Sequence, residues 1–158
     1  MNITKTIQLT HHNNTSDFTE KEIQLIEEAK SATFNAYAPF SQFFVGTAIL
    51  LSDNSIITGS NQENASFPNG LCAERVALNT FGNNTANRTI ISMAVTARSL
   101  HYKIPEILCP CGGCLQVMAE FVKRQNSEFK IFLISENENY YVASGVSTFL
   151  PFGFELKE

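Results

Sequence analysis

The sequence predicts an α/β fold in which helices cover one sheet. Two strand-like runs, 43–51 and 55–63, flank the turn residues Asp53 and Asn54, and this pattern is typical of an antiparallel hairpin. Downstream, helical and strand-like patterns alternate, which is the order of an α/β domain. A length of 158 residues and a hydrophobic content of 44% suit such a fold, because they allow a sizeable core.

The chain is expected to form a single domain over 1–158, since it contains no repeat, linker or low-complexity segment. Residues 1–18 are predicted to be peripheral, with a loosely alternating strand at 3–9 followed by a polar loop. The core is predicted to span 19–154. Each remaining element of that core has its own local signal.

The first helix is predicted to begin after Thr19, because Thr19 and Glu22 have the spacing of a capping box. Pro39 is predicted to end it. Its apolar stripe at helical spacing is Ile23, Ile26, Ala29, Thr33, Phe34 and Tyr37. The later elements are a helix at 72–81 closed by Gly82, a buried strand at 89–97, a helix that opens at CPCGGC, and strands at 130–135 and 140–144.

Charge and hydropathy exclude two classes of partner. The net charge is −4, the pI is near 5.4, and only 11 Lys and Arg residues are scattered along the chain. Nucleic-acid binding needs clustered cations, so no nucleic acid is expected. No apolar run is long enough for a membrane span, and the polar N-terminus lacks the apolar core of a signal peptide. We therefore expect a cytoplasmic protein with reduced thiols.

Three of the four cysteines lie in the run CPCGGC at 109–114. Cys111 and Cys114 have the Cys-x-x-Cys spacing that lets two sulfurs bind one tetrahedral metal ion. They lie at a predicted helix start, whose partial positive charge stabilises thiolates. Alone, this pair also fits a redox pair or half of a structural zinc site.

Cys72 favours a catalytic metal site, because it too begins a predicted helix. Two helix starts can direct three sulfurs at one Zn²⁺, and three protein ligands leave a fourth position for water. Glu74 lies in the same first turn, where its carboxylate can take the proton of that water. Arg75 follows, and hydrogen bonds from its guanidinium to the thiolates would withdraw electron density.

Cys109 is the remaining cysteine, and a buried structural thiol is predicted at this position rather than a fourth ligand. A fourth ligand would close the site and leave Glu74 without a function. The alternative from a different functional class is therefore a non-catalytic domain with a closed four-cysteine zinc site. The number of sulfurs on the metal separates these interpretations.

The segments CAE and PCGGC resemble the zinc motifs of the small cytidine deaminases of pyrimidine salvage, in the class with three cysteine ligands. The resemblance runs from about 20 to 154 and includes AYAPFSQFFVG, GSNQENAS and FLPFGF. It implies a three-layer α/β/α sandwich with a mixed central sheet, assembled as a homotetramer. It also implies one Zn²⁺ per chain on Cys72, Cys111 and Cys114, with Glu74 as the catalytic proton carrier.

The resemblance further implies a nucleoside pocket. Asn61 and Glu63 match the family's ribose-binding Asn-x-Glu, and their spacing puts both on one face of a strand. Phe43 matches the aromatic residue that packs on the pyrimidine, and the backbone at Ala73 would receive the base edge. Phe154 matches a tail residue that family members contribute across a subunit boundary.

Three features depart from the family pattern. Leu115 stands where Arg is usual, Gln62 stands where an aliphatic residue is common, and FPNG before Leu71 is a variant of a segment that touches neighbouring subunits in the family. These departures bear on subunit contacts and on which nucleosides fit. They do not touch the metal ligands or the proton carrier.

The expected activity is zinc-dependent hydrolytic deamination of cytidine and 2′-deoxycytidine to uridine and 2′-deoxyuridine, with release of ammonia. A nearby alternative is a deaminase of an aminonucleoside antibiotic or a modified cytidine, although Asn61 and Glu63 favour a plain ribose. A polynucleotide deaminase is disfavoured by the acidic composition. A thioredoxin-like redox function is also disfavoured, because it would use the Cys-x-x-Cys pair and give Cys72 no role.

Overall fold

The computed structural model describes residues 2, 4–85 and 87–156, and its central feature is a six-stranded sheet. In chain order the elements are β1 (Thr10–His12), α1 (Glu20–Ala32), β2 (Phe43–Leu51), β3 (Ile56–Ser60), α2 (Ala73–Asn83), β4 (Ile90–Ser99), α3 (Gly112–Gln125), β5 (Lys130–Ile134) and β6 (Tyr140–Ala143). The strands lie in the order β1-β6-β5-β4-β2-β3. Only the β4–β5 pair among these strands is parallel, so the sheet is mixed.

Helices cover both faces of this sheet. Successive side chains of a strand point to opposite faces, and the buried residues accordingly divide into two cores. The core beneath α1 contains Leu25, Ile26, Ala29, Ala48, Leu50, Ala94, Phe132 and Ile134. The core beneath α2 and α3 contains Ile49, Leu78, Phe81, Met93, Val95, Met118, Phe121, Ile131 and Leu133. The predicted three-layer α/β/α sandwich is confirmed, and none of its described helices is long and apolar enough to cross a bilayer.

The predicted hairpin of β2 and β3 is also confirmed, but β3 ends at Ser60 and not at residue 63, so Asn61 and Glu63 lie beyond the strand and not on one of its faces. The strands pair antiparallel from Gly46–Ser60 to Leu50–Ile56. Asn54 adopts a left-handed conformation with φ of 66°, which this residue type tolerates better than most. The turn thus brings Asn61, just beyond β3, back beside the start of β2.

The first helix begins where the sequence predicts, but it ends earlier. The Thr19 hydroxyl accepts a hydrogen bond from the Glu22 N–H at 3.3 Å, and the Glu22 carboxylate accepts one from the Thr19 N–H at 2.9 Å. The helix ends at Ala32 and not at Pro39. Tyr37 is instead extended, because its backbone bonds with residues 61–63 next to β3.

This early end corrects the predicted apolar stripe. Phe34 is 75% and Tyr37 56% exposed, whereas Leu25, which the stripe omitted, is fully buried. The Thr33 hydroxyl donates to the Lys30 carbonyl at 2.7 Å and helps to end the helix. Aromatic residues that follow such an end no longer continue the helical face.

The predicted strand at 3–9 is wrong for residues 4–9, while Ile3 lies outside the described residues. The strand is Thr10–His12, of which His11 and His12 lie in the segment predicted as loop, and Thr10 pairs with Val142 of β6. The His11 ring stacks on Tyr141 with a centroid separation of 4.8 Å. The edge of β6 therefore selects which residues become β1, and no local sequence pattern reveals that partner.

Gly59 lets α2 lie directly against β3. A Cβ atom at Gly59 would overlap the carbonyl oxygen of Ala73 and lie 2.6 Å from the Ala77 nitrogen. The first turn of α2 is thereby fixed against the sheet. The helix continues through Asn83, so the predicted stop at Gly82 is wrong, and Gly82 instead leaves room for the Phe121 ring.

Candidate active site

Three cysteine sulfurs meet where α2 and α3 begin. Cys72 is the N-cap of α2, Cys111 is the N-cap of α3, and Cys114 lies in the first turn of α3. The three Sγ atoms all lie within 4.8 Å of one another, and those of Cys72 and Cys111 are 3.9 Å apart. Sulfurs bound to one tetrahedral zinc at roughly 2.3 Å are separated by about 3.8 Å. The donor set and its spacing therefore fit Zn²⁺, which this three-cysteine cluster binds.

Local backbone structure explains this convergence. The Sγ of Cys111 accepts a hydrogen bond from the N–H of Cys114 at 3.4 Å, so the thiol itself caps the helix. Free N–H groups at the start of each helix present partial positive charge to the sulfurs. Both helix ends thereby stabilise thiolates at the same point.

The pKa values of the Cys72 and Cys114 thiols shift in opposite directions. The hydrogen bond from the Cys114 thiol is the main cause that lowers the pKa of Cys72 to about 6, against an opposing effect of desolvation. The positive charge of Arg75 contributes in the same direction. The pKa of Cys114 is correspondingly raised, because its proton is held by Cys72. The cluster thus contains a thiolate near neutral pH, ready to bind a cation.

Glu74 joins this cluster from the first turn of α2. Its side chain is buried, with 4% exposure, and it lines the same cavity as Cys72 and Cys111. Burial raises the pKa of the Glu74 carboxyl, although hydrogen bonds from its own backbone and from Cys114 oppose the shift. A carboxyl group with a raised pKa is suited to accept and then return a proton near neutral pH.

The cavity beside these groups has a volume of about 710 Å³. This lies within the range of pockets that bind small molecules. Six of the ten predicted site residues line it: Phe43, Asn61, Glu63, Cys72, Glu74 and Cys111. The structure therefore brings the sulfur cluster, the buried carboxyl and the predicted nucleoside-binding side chains to one place.

Asn61 and Glu63 are held firmly by the backbone around them. The Asn61 amide accepts from the Val45 N–H at 2.7 Å and donates to the Phe43 carbonyl at 2.9 Å. The Oε2 atom of Glu63 accepts from the N–H groups of residues 40–41 at 2.8 and 3.3 Å. Despite desolvation, these bonds and the Ser41 side chain lower the pKa of Glu63. An ionised carboxylate that lines the cavity suits a sugar hydroxyl.

Three predicted residues lie outside this constellation. No hydrogen bond joins Arg75 to a thiolate in the part of the chain that the structure describes. Ala73 is fully buried as the first residue of α2, between two site residues. Phe154 is 73% exposed beside α3, away from the cavity of its own chain. Their predicted roles stay predictions.

The prediction for Cys109 is wrong, because this residue is exposed and lines the cavity. The neighbouring Pro110 is the buried residue, which leaves the cysteine on the cavity side. The sulfur cluster among the described residues contains Cys72, Cys111 and Cys114 without Cys109. This grouping favours an open three-sulfur site over the closed four-cysteine alternative.

Sequence reasoning also missed one wall of the cavity. Tyr102, Lys103, Pro105 and Leu108 line it from the segment between β4 and α3. This segment, residues 100–108, is called the wall segment below. It has no regular periodicity, so its only sequence signal is a loop of unusual length directly before the Cys-x-x-Cys motif.

Comparison with known proteins agrees with the site. Residues 19–127 match the model of the cytidine and deoxycytidylate deaminase zinc-binding region. The cytidine deaminase of Halalkalibacterium halodurans is 45% identical over 96 residues, which cover 61% of this chain and 68% of that protein. The cytidine deaminase of Mycoplasma genitalium is 30% identical over 134 residues, covering 83% and 93%.

A solved structure agrees with the fold. The crystal structure of cytidine deaminase from Burkholderia pseudomallei superposes with a TM-score of 0.71 at 33% identity. The match covers 84% of this chain and 98% of that one. With the zinc-region match spanning α1 to α3, the chain belongs to the cytidine and deoxycytidylate deaminase family.

Proposed function

We propose that this protein is a zinc-dependent cytidine deaminase that hydrolyses cytidine and 2′-deoxycytidine to the corresponding uridines and ammonia. The observation that carries this proposal is the buried Glu74 carboxyl beside three converging sulfurs, at the bottom of a nucleoside-sized cavity. The similar proteins of Halalkalibacterium halodurans and Mycoplasma genitalium are named cytidine deaminases, and these names support the same reaction. A closed structural site does not require a buried carboxyl opening on a cavity.

Zinc held by Cys72, Cys111 and Cys114 would supply a Lewis acid that lowers the pKa of the attacking water. Glu74 removes a proton from the attacking water and delivers it to N3 of the base while C4 is attacked. Glu74 then takes the second proton of that water and passes it to the amino group. The C4–N bond breaks, and ammonia leaves. The burial of Glu74 suits both directions of transfer.

The substrate contacts in this proposal come from both ends of the cavity. Glu63 and Asn61 bind the ribose, since both line the cavity and Glu63 is held in its ionised form. Phe43 packs on the pyrimidine, as aromatic rings do with flat bases. The backbone at Ala73 meets the base edge, because the free N–H groups of α2 begin there.

The assembly is proposed to be a homotetramer in which Phe154 enters a neighbour's site. The exposure of its ring beside α3 supports such a contact. We further propose one catalytic domain at 19–154 with a peripheral addition at 1–18. The described strand of that addition joins the edge of the same sheet, which supports this division. Free thiols favour a reducing compartment such as the cytoplasm.

The test is ammonia release from cytidine by the purified, zinc-loaded protein, with Glu74→Gln beside it. We expect turnover by the parent, and a loss on the order of 10²–10⁴-fold in the variant with one zinc retained. Undiminished turnover by Glu74→Gln would refute the role of the carboxyl. Absence of turnover by the parent with cytidine, 2′-deoxycytidine and modified cytidines would refute the proposed function.

A further inference from the structure

The wall segment, residues 100–108, forms one side of the cavity without being part of the sheet or of a helix. Four of its side chains face the cavity: Tyr102, Lys103, Pro105 and Leu108. Ile104 points the other way and is 3% exposed. The shape of the cavity therefore depends on how this irregular stretch of backbone is held.

The segment is well anchored where it leaves β4. The Ser99 hydroxyl accepts hydrogen bonds from the N–H groups of His101 and Tyr102 at 3.2 and 3.0 Å. The same hydroxyl donates to the Gln42 carbonyl at 3.2 Å. Beyond this point, no backbone hydrogen bond links residues 103–108 to another element in the described part of the chain. The cavity-lining half of the segment thus lacks backbone support.

Glu106 provides that support through its side chain. One carboxylate oxygen, Oε1, accepts from the Asn139 amide at 2.7 Å and from the Tyr141 hydroxyl at 3.0 Å. Asn139 directly precedes β6 and Tyr141 lies within it. Tyr141 is itself held, because its ring stacks on His11 of β1. Two donors on one charged oxygen make a stronger link than a neutral hydrogen bond.

We infer that Glu106 is a positioning residue for the deamination reaction: it ties the wall segment to β6 and so preorganises the cavity for its nucleoside. This inference rests on the proposed function. Without these hydrogen bonds, residues 103–108 must become ordered when the substrate binds, and the entropy cost of that ordering weakens substrate binding. Glu106 touches neither the sulfurs nor Glu74, so the chemical step itself is left unchanged.

The kinetic test is KM and kcat for cytidine in zinc-loaded variants. Glu106→Ala should raise KM about three- to tenfold with kcat changed less than about twofold. Tyr141→Phe, which keeps the stacked ring but loses the hydroxyl, should shift KM in the same direction. Glu106→Gln should restore most of the loss, since its amide oxygen still accepts. Glu136→Ala removes a nearby exposed carboxylate that has no hydrogen bond in the described structure, and it should behave as the parent.

A second readout does not need activity. Trypsin cuts after Lys103, and Ile104 must leave its buried position before the protease can bind there. Cleavage at Lys103, followed by mass spectrometry, should be at least threefold faster in Glu106→Ala than in the parent and in Glu136→Ala. Parent protein without turnover would instead contradict the proposed function, whatever the cleavage rate.

The outcomes separate the alternatives. An unchanged KM in Glu106→Ala would overturn the inference, even with faster cleavage, because the tie would then be structural only. Equal falls in kcat and zinc content would also overturn it. A KM increase with faster cleavage, reversed by Glu106→Gln, would establish the positioning role.

Discussion

The side-chain amide of Gln116 binds both backbone groups of Phe154. Its Nε2 donates to the Phe154 carbonyl at 2.8 Å, and its Oε1 accepts from the Phe154 N–H at 2.9 Å. This pair of hydrogen bonds resembles the backbone pairing of two neighbouring strands, and it fixes the C-terminal tail around Phe154 beside α3. Gln116 follows the metal ligand Cys114 by two residues. The helix that holds the metal therefore also sets where the Phe154 ring projects.

Phe154→Ala is expected to raise KM for cytidine roughly ten- to 150-fold without loss of zinc, because burial of an aromatic ring in the proposed subunit contact would contribute about 1.5–3 kcal/mol. Phe152→Ala is the matched control, since Phe152 is 74% exposed in the same tail. Gln116→Ala should show part of the same KM increase. The double variant should be no worse than Phe154→Ala alone. An unchanged KM in Phe154→Ala would place its ring outside any active site.

The two readings of the cysteine run are separated by Cys109→Ser and Cys114→Ser. We expect Cys109→Ser to keep about one zinc per chain and its turnover, since its sulfur lies outside the cluster. Cys114→Ser should lose both zinc and turnover, because only two of the three sulfur ligands would remain. Zinc content by elemental analysis checks this. Equal zinc loss in the two variants would instead support a closed four-sulfur site.

Gly59→Ala is expected to destabilise the zinc-loaded protein by about 1–3 kcal/mol, the usual cost of overpacking a filled core. The added methyl group would overlap the Ala73 carbonyl oxygen at the start of α2. Gly112→Ala is the control, because no atom lies within 4 Å of a Cβ built there. Denaturant unfolding measures both variants. Equal stabilities would show that α2 can shift away from β3.

Glu22→Gln tests the pH dependence of stability. Desolvation raises the pKa of Glu22, but hydrogen bonds from Lys130 and Thr19 outweigh it and lower the pKa below the ordinary value of 4.5. A depressed folded-state pKa stabilises above the unfolded pKa, and this contribution is lost as pH falls through the folded value. We expect a loss of at most about 1 kcal/mol at pH near 7, since the ion pair with Lys130 is partly solvated.

That difference between Glu22→Gln and the parent should shrink in acid, below a pH of about 4.5. Glu20→Gln, in the same helical turn, is the control. Urea unfolding of the three proteins at both pH values provides the comparison. A difference that grows in acid would contradict the sign of the shift.

The predictable parts of the molecule are those with local signals. Thr19 and Glu22 mark a helix start through their own hydrogen bonds, and the turn at Asn54 needs only nearby residues. The spacing of Cys111 and Cys114 likewise reflects one helical turn. Joining these two to Cys72 needed a non-local argument, that two helix starts direct their sulfurs at one metal ion, and the resemblance to a family supported it, since no local rule brings together ligands 39 residues apart.

The parts that sequence reasoning missed depend on distant partners. β1 is selected by its pairing with β6, and Tyr37 leaves the helical pattern because it pairs beside β3. The exposed position of Cys109 and the wall formed by residues 100–108 depend on the cavity itself. Amphipathic patterns report that a residue is buried or exposed, but they do not report against which element it packs.

The 3.9 Å separation of the Cys72 and Cys111 sulfurs has a consequence for the unfolded chain. A metal held between them acts as a removable cross-link that closes a ring of 39 residue steps. For a covalent bridge of that span, chain entropy alone corresponds to roughly 4 kcal/mol. The ring contains α2, β4 and the wall segment. The metal ion needed for catalysis therefore also cross-links the segments that form the cavity.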